Sequence, residues 1–183
     1  MRTLVLGGIR SGKSQWAETA IAESTVAGQP VRYLATGAAP EGDADWSARI
    51  DVHRARRPSH WSTVETVDVP TQLRYEVATP TLVDDIGGWL TAVMDHRDAW
   101  TTGSVAADVD DLIDAVRAFG SPLALVSPEV GLTVVPQTSS GRRFADELGS
   151  LNQRLAGLCD RVVLVVAGQP LTVKGPSRAE SRR

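Results

Sequence analysis

An open α/β sheet, mostly parallel, doubly wound so that helices flank both faces and ending in a C-terminal β-hairpin, is the architecture this sequence predicts. Three observations carry it. Short, continuous apolar runs rich in β-branched residues recur along the chain, as expected of parallel strands buried on both faces. Longer stretches with apolar residues three and four apart lie between them. The first apolar run leads straight into a glycine-rich loop and then a helical stretch.

In chain order, residues 3–6 read as the first strand and 14–27 as the first helix. Residues 31–35 and 81–83 are the next strands. A helix follows over 105–119, where Val109, Leu112, Ile113 and Val116 make an apolar stripe against Asp108, Asp110, Asp111 and Asp114. That acidic face reads as solvated. Residues 123–126 form a strand, and 142–158 a helix whose Phe144, Leu148, Leu151, Leu155 and Leu158 share one face. A strand over 162–166, a turn at Gly168-Gln169-Pro170 and a last strand over 171–174 give the hairpin. Alternation of this kind favours right-handed crossovers in one sheet. Residues 1–175 are expected as a single domain, with 176–183 a flexible polar tail.

Gly7-Gly8-Ile9-Arg10-Ser11-Gly12-Lys13-Ser14 is a complete G-x-x-x-x-G-K-[ST] phosphate loop. Its strand–loop–helix setting distinguishes it from a chance glycine turn. Backbone N–H groups can close around phosphates there, with the positive end of the new helix behind them. Lys13 can reach the β- and γ-phosphates, and the Ser14 hydroxyl is placed for Mg²⁺. The loop makes the expected architecture P-loop NTPase-like (RecA-like), with a nucleoside triphosphate as ligand.

Such a site needs a carboxylate at the end of another strand. Asp84 follows the apolar run at 81–83 directly and is the better metal candidate, with Asp85 beside it and a flexible Gly87-Gly88 beyond. An acid in this place can equally cap the next helix. A second segment, 49–58, sets His53 among Arg49, Arg54, Arg56 and Arg57. Arginine matches phosphate oxygens bidentately, and nearby cations keep an imidazole neutral and nucleophilic. Such a histidine could attack an α-phosphorus; a solvated basic loop is the plainer alternative.

Composition sets the outer limits. A net charge of −3 argues against nucleic-acid or membrane-surface binding. Cys159 is the only cysteine, which excludes an internal disulfide and a cysteine-based zinc site. No apolar stretch reaches bilayer-spanning length. The first strand begins almost at once, leaving no room for a signal peptide, so a cytoplasmic location is expected.

The segments GGIRSGKSQWAE (7–18), YLATG (33–37), the Arg/His-rich stretch 48–61, LVDDIGGWL (82–90), VSPEVGLTVVP (126–136) and FADELGSLNQRLA (144–156) occur in one order over about residues 2 to 174. In this the chain resembles the bifunctional adenosylcobinamide kinase / adenosylcobinamide-phosphate guanylyltransferase family of cobalamin biosynthesis. The resemblance implies two reactions. Adenosylcobinamide is phosphorylated with ATP or GTP, and GMP from GTP is then passed through a guanylyl-histidine to adenosylcobinamide phosphate. A P-loop small-molecule kinase without guanylyl transfer is the alternative.

By the same resemblance Gly7 to Ser14 hold the triphosphate, and Thr36, Gly37 and Ala38 line the guanine nucleotide site. His53 is the guanylylated residue, and Arg54, Ala55, Arg56 and Arg57 form the nucleotide-binding segment after it. Glu65 and Asp84 contact nucleotide or its Mg²⁺. His60 is not the nucleophile by alignment, and His96 has no counterpart, which leaves it a surface role. The family also implies a homotrimer, to which Trp46, Trp61, Trp89 or Trp100 could contribute if not in the core. Three departures stand out: Pro128 where the family has asparagine, Ala145 where a basic residue is common, and Arg56 where glycine is frequent.

Overall fold

β1 (Arg2–Gly7) runs inside a seven-stranded sheet, between the strands Leu123–Pro128 and Arg161–Val166. The computed structural model describes residues 1–37 and 57–175. Its further elements are α1 (Lys13–Glu23), β2 (Arg32–Ala35), β3 (Ser62–Glu65), α2 (Val69–Tyr75), β4 (Thr81–Asp84), α3 (Ile86–His96), α4 (Ala106–Ala118), β5 (Leu123–Pro128), α5 (Ser139–Leu158), β6 (Arg161–Val166) and β7 (Gln169–Lys174). The strand order is β3-β2-β4-β5-β1-β6-β7, and every pairing is parallel except β6 with β7. The expected doubly wound, mostly parallel sheet with a terminal hairpin is the fold observed.

Period-two alternation in the central strands feeds two cores. Leu4, Leu34, Val83 and Leu125 point to the face covered by α2, α3, α4 and α5. Val5, Tyr33, Leu82, Ala124 and Val126 point to the other, against Ala17 and Ile21 of α1. Strands buried on both sides must be apolar at consecutive positions, which is why these runs were legible as strands.

Several boundaries differ from expectation, each for a local reason. α1 ends at Glu23 rather than Ala27, because Ser24 and Thr25 turn their hydroxyls back to the carbonyls of Ile21 and Ala22. α5 begins at Ser139 rather than Arg142, since Thr138 caps it by accepting from the Gly141 N–H at 3.1 Å. The hairpin turns at Ala167-Gly168, both with positive φ (50° and 77°), so Gln169 and Pro170 already belong to β7. β3, α2 and α3 have no counterpart in the expected elements. β3 is a polar edge strand, and α2 is a single two-turn helix capped by Asp68. α3 was obscured by Gly87-Gly88. These lie inside its first turn, where a Cβ on Gly87 would come within 2.8 Å of the Pro128 ring.

The acidic face of α4 is paired rather than simply solvated. Asp108, Asp110, Asp111 and Asp114 face Arg97, Arg154, Arg74 and Arg117, at N···O distances between 2.5 and 2.9 Å. Exposed pairs of this kind add little stability each. Trp89 is buried in the core and so is excluded from any intersubunit contact, while His96 is exposed as expected. Trp46 and the tail 176–183 lie outside the described residues.

Cys159 ends α5 with its side chain buried, and burial, then the neighbouring Asp160 charge, pushes its thiol up to about 12 from 9.0. The folded protein is therefore expected to resist a disulfide reagent at pH 8 and to react only on unfolding. Because the folded value is raised, the stability it protects is present below pH 9.0 and is lost as pH rises towards about 12. Rapid thiol titration of the native chain would contradict this placement.

Candidate nucleotide-binding site

The carboxyl ends of the parallel strands bring Gly7, Ala35, Glu65, Asp84 and Pro128 to one edge of the sheet. Ligands bind at this edge in open α/β sheets. The phosphate loop leaves β1 there. A Cβ on Gly7 would clash with the Ser11 side chain and sit 2.7 Å from the Val165 carbonyl oxygen, so the loop can fold back only over a glycine. Gly12 takes φ 91° as the N-cap of α1, and no side chain caps the helix. Its first N–H groups are thus not consumed by a capping side chain, as an anion site requires. Arg10 also has positive φ (56°), and the Ser11 N–H donates to Gly8 O at 3.3 Å.

Two neighbours brace the loop. The Gly168 N–H donates to Ser11 O at 2.8 Å, from the β6–β7 turn, and the Glu129 N–H donates to Gly7 O at 3.1 Å. Lys13 folds over the loop with its ammonium 3.4 Å from Gly8 O. Ile9 and Arg10 at the tip are exposed, and the Ser11 hydroxyl is buried without a hydrogen-bond partner.

On β4, Asp84 alternates with Leu82 and so stands on the α1 side of the sheet, the side on which Ser14 opens the helix. Its Oδ2 accepts from the Tyr33 hydroxyl at 2.5 Å. Tyr33 pairs with Leu82 in register and lies diagonally from Asp84 on the same face. Burial, then the Asp84 charge, raises the phenol well above its ordinary value, so the hydroxyl remains a donor. Asp85 has the other role open to an acid after a strand: it caps α3, accepting from Gly88 N–H at 2.7 Å. Burial, then the Asp84 charge, raises its carboxyl above the ordinary value, against the opposing pull of the Gly88 N–H and Lys13.

Thr36 is buried, with its N–H donating to Asp84 O at 3.1 Å and its hydroxyl to Asp85 O at 2.5 Å. Gly37 beside it and Glu65 at the end of β3 are exposed. Arg57 forms an ion pair with Glu18 of α1 at 3.6 Å, donates to Thr63 Oγ1 at 2.9 Å and lies over the Tyr33 ring. The phosphate loop, Thr36, Gly37, Glu65 and Asp84 thus share one sheet edge. Ala38, His53, Arg54, Ala55 and Arg56 lie outside the described residues.

Tyr33 and Glu18 were not singled out from sequence. Tyr33 read as one more strand residue, and only the β2–β4 register brings its hydroxyl to Asp84. The Pro128 departure is accommodated because β4 ends opposite Val126 and demands no donor beyond it. The Pro128 carbonyl accepts from Asn152 Nδ2 at 3.0 Å, and Asn152 Oδ1 accepts from Ser127 at 2.6 Å.

Among the described residues, no group of three or more His, Cys, Asp or Glu side chains could hold a metal ion by itself. Ser14 and Asp84 offer hard oxygen donors of the kind Mg²⁺ takes while keeping water and phosphate oxygens in its shell. The residues therefore fit a nucleotide-borne Mg²⁺. No described helix is long and apolar enough to cross a membrane.

Residues 3–173 match the family described as cobinamide kinase / cobinamide phosphate guanyltransferase. The chain is 41% identical over 178 residues to the bifunctional adenosylcobalamin biosynthesis protein CobP of Pseudomonas aeruginosa, covering 96% of this chain and 98% of the relative. It is 33% identical over 187 residues to the bifunctional adenosylcobalamin biosynthesis protein CobU of Escherichia coli K12, covering 95% of this chain and all of the relative. A solved ATPase of a bacterial type III secretion system superposes with a TM-score of 0.57 at 13% identity, over 89% of this chain and half of its own. That likeness concerns the fold alone, a P-loop ATPase sheet. With the phosphate loop, the strand-end carboxylate and near full-length similarity in agreement, the chain belongs to the cobinamide kinase / cobinamide phosphate guanyltransferase family.

Proposed function

We propose that this chain carries both activities of its family, phosphorylating adenosylcobinamide with ATP or GTP and then converting adenosylcobinamide phosphate to adenosylcobinamide-GDP. The observation that carries the reading is the phosphate loop braced at the carboxyl edge beside Asp84, in a chain similar to bifunctional enzymes over almost its whole length.

In the first reaction, the loop Gly7 to Ser14 cradles the triphosphate, and the Lys13 ammonium lies over the β- and γ-phosphates. Ser14 and Asp84 would hold Mg²⁺, which when bound neutralises charge on the transferring phosphoryl group. Catalysis of this kind is mainly positioning and electrostatics, so a rigid loop is the principal requirement. In the second, a His53 nitrogen attacks the α-phosphorus of GTP and pyrophosphate leaves, placing GMP on the imidazole. The phosphate of adenosylcobinamide phosphate then attacks that phosphorus and frees the histidine. Thr36, Gly37, Ala38, Arg54, Ala55, Arg56 and Glu65 serve the guanine nucleotide in this reading. The catalytic unit spans residues 1–175, acts in the cytoplasm on small molecules rather than nucleic acid, and assembles as a homotrimer.

Incubation with GTP labelled at the α-phosphorus is expected to leave acid-labile, alkali-stable label on the wild type and none on His53→Ala. Unlabelled but GTP-binding wild type would leave a kinase alone. Lys13→Ala should lower kcat/KM of the phosphorylation on the order of 10²–10³-fold with thermal stability retained. A near-wild-type rate in that variant would remove Lys13 from the chemistry.

A further inference from the structure

Five side chains from five parts of the chain form one connected set on the α1 side of the sheet. Asp84 at the end of β4 accepts from the Tyr33 hydroxyl of β2 at 2.5 Å. The Arg57 guanidinium lies 3.3 Å from the centroid of the Tyr33 ring. Arg57 in turn pairs with Glu18 of α1 at 3.6 Å, both side chains being about nine-tenths buried. Thr63 at the β3 edge accepts from the same guanidinium at 2.9 Å.

The positions have a common consequence. Asp84 has two side-chain torsions, and a carboxylate at a strand end facing a ligand has little packing to choose between their settings. A buried hydroxyl bonded to one oxygen fixes the carboxylate plane and directs the remaining acceptor capacity away from Tyr33. The phenol is itself closely enclosed. Its ring is 3% exposed in the α1-side core, and its face is closed by a planar cation held between α1 and β3. Lysine could not provide that closure, because it lacks the flat guanidinium that stacks on an aromatic face. Arg57 also follows His53 by only four positions in the chain. One aromatic side chain therefore ties the strand-end carboxylate to the helix that follows the phosphate loop and to the segment after the proposed nucleophile.

We propose that Tyr33 is the positioning residue of the Asp84 carboxylate, its hydroxyl setting the oxygen offered to the nucleotide's divalent cation and its ring pinned by Arg57 and Glu18. Arg57 then acts as a strut, in place of the direct nucleotide contact that the family resemblance implies for it. This rests on the reading of Asp84 as the carboxylate facing that cation. Partners that orient a metal-facing group characteristically control metal affinity more than the overall fold.

The test compares wild type, Tyr33→Phe, Arg57→Lys and Asp84→Asn by two measurements. One is the Mg²⁺ concentration giving half-maximal phosphorylation. The other, independent of turnover, is the electron paramagnetic resonance signal of Mn²⁺ bound with a non-hydrolysable GTP analogue. Tyr33→Phe is expected to raise the Mg²⁺ requirement about tenfold, to weaken Mn²⁺ binding in step, and to regain most of its rate at saturating Mg²⁺. Arg57→Lys should move both measurements the same way by a smaller factor. A wild-type Mg²⁺ requirement and Mn²⁺ signal in either variant, beside a clear change in Asp84→Asn, would overturn the positioning role alone. No change in Asp84→Asn itself would remove the reading on which the role depends, and the inference with it.

Discussion

Backbone crowding where β1 gives way to the phosphate loop is the constraint on which the rest of the site depends. At Gly7 the space a Cβ would fill is already taken by the Ser11 side chain and the Val165 carbonyl. The chain can reverse tightly enough to direct N–H groups at a phosphate only because that space is free of a side chain. Close packing then fixes the loop from outside. Ser11 O accepts from the β6–β7 turn and Gly7 O from the residue after β5, so two strands flanking β1 hold the loop at both ends. A loop braced in this way pays its ordering cost on folding rather than on substrate binding, which favours tight positioning of a transferring phosphoryl group.

The same economy appears in the two adjacent carboxylates at the end of β4. Asp84 and Asp85 differ by one position, and the end of β4 between them gives them different work. Asp84 continues the face of Leu82 and meets Tyr33 on the α1 side, whereas Asp85 turns into the cap of α3. A sequence run of two acids is thus resolved into a ligand-facing group and a structural cap because β4 ends at Asp84 and Asp85 is the N-cap of α3. Burial, then the adjacent Asp84 charge, raises the Asp85 carboxyl, and the Gly88 N–H and Lys13 partly offset this.

Helices are distributed unequally over the sheet. Four cover one face and α1 the other among the described residues. On the α1 side the core is completed by Tyr33 and by the Arg57–Glu18 pair, polar groups at a depth where an unpaired charge would be costly. Pairing and stacking make that burial tolerable, and they place a rigid polar layer directly beneath the nucleotide edge. The hairpin is the other device without a core function of its own: β7 is exposed throughout, yet its turn reaches the phosphate loop.

How much of this was legible in the chain divides along physical lines. Strands β1, β2, β4, β5 and β6 were readable because double-sided burial demands unbroken apolar runs, and α4 and α5 because one-sided burial demands a stripe. The phosphate loop and Asp84 were readable because their chemistry dictates residue type at fixed spacing next to a strand. β3 was not, since a polar edge strand carries no burial signal, and α3 was masked by the glycines that let it pack on Pro128. Nor could any pattern show that Tyr33 meets Asp84, that Arg57 meets Glu18, or that Gly168 supports Ser11. Those contacts join residues 51, 39 and 157 positions apart, respectively. Local sequence determined which elements form and which residues have the chemistry. Only strand order and register decided which of those residues meet, because neighbours across a sheet are set by the packing of the whole chain and not by spacing along it.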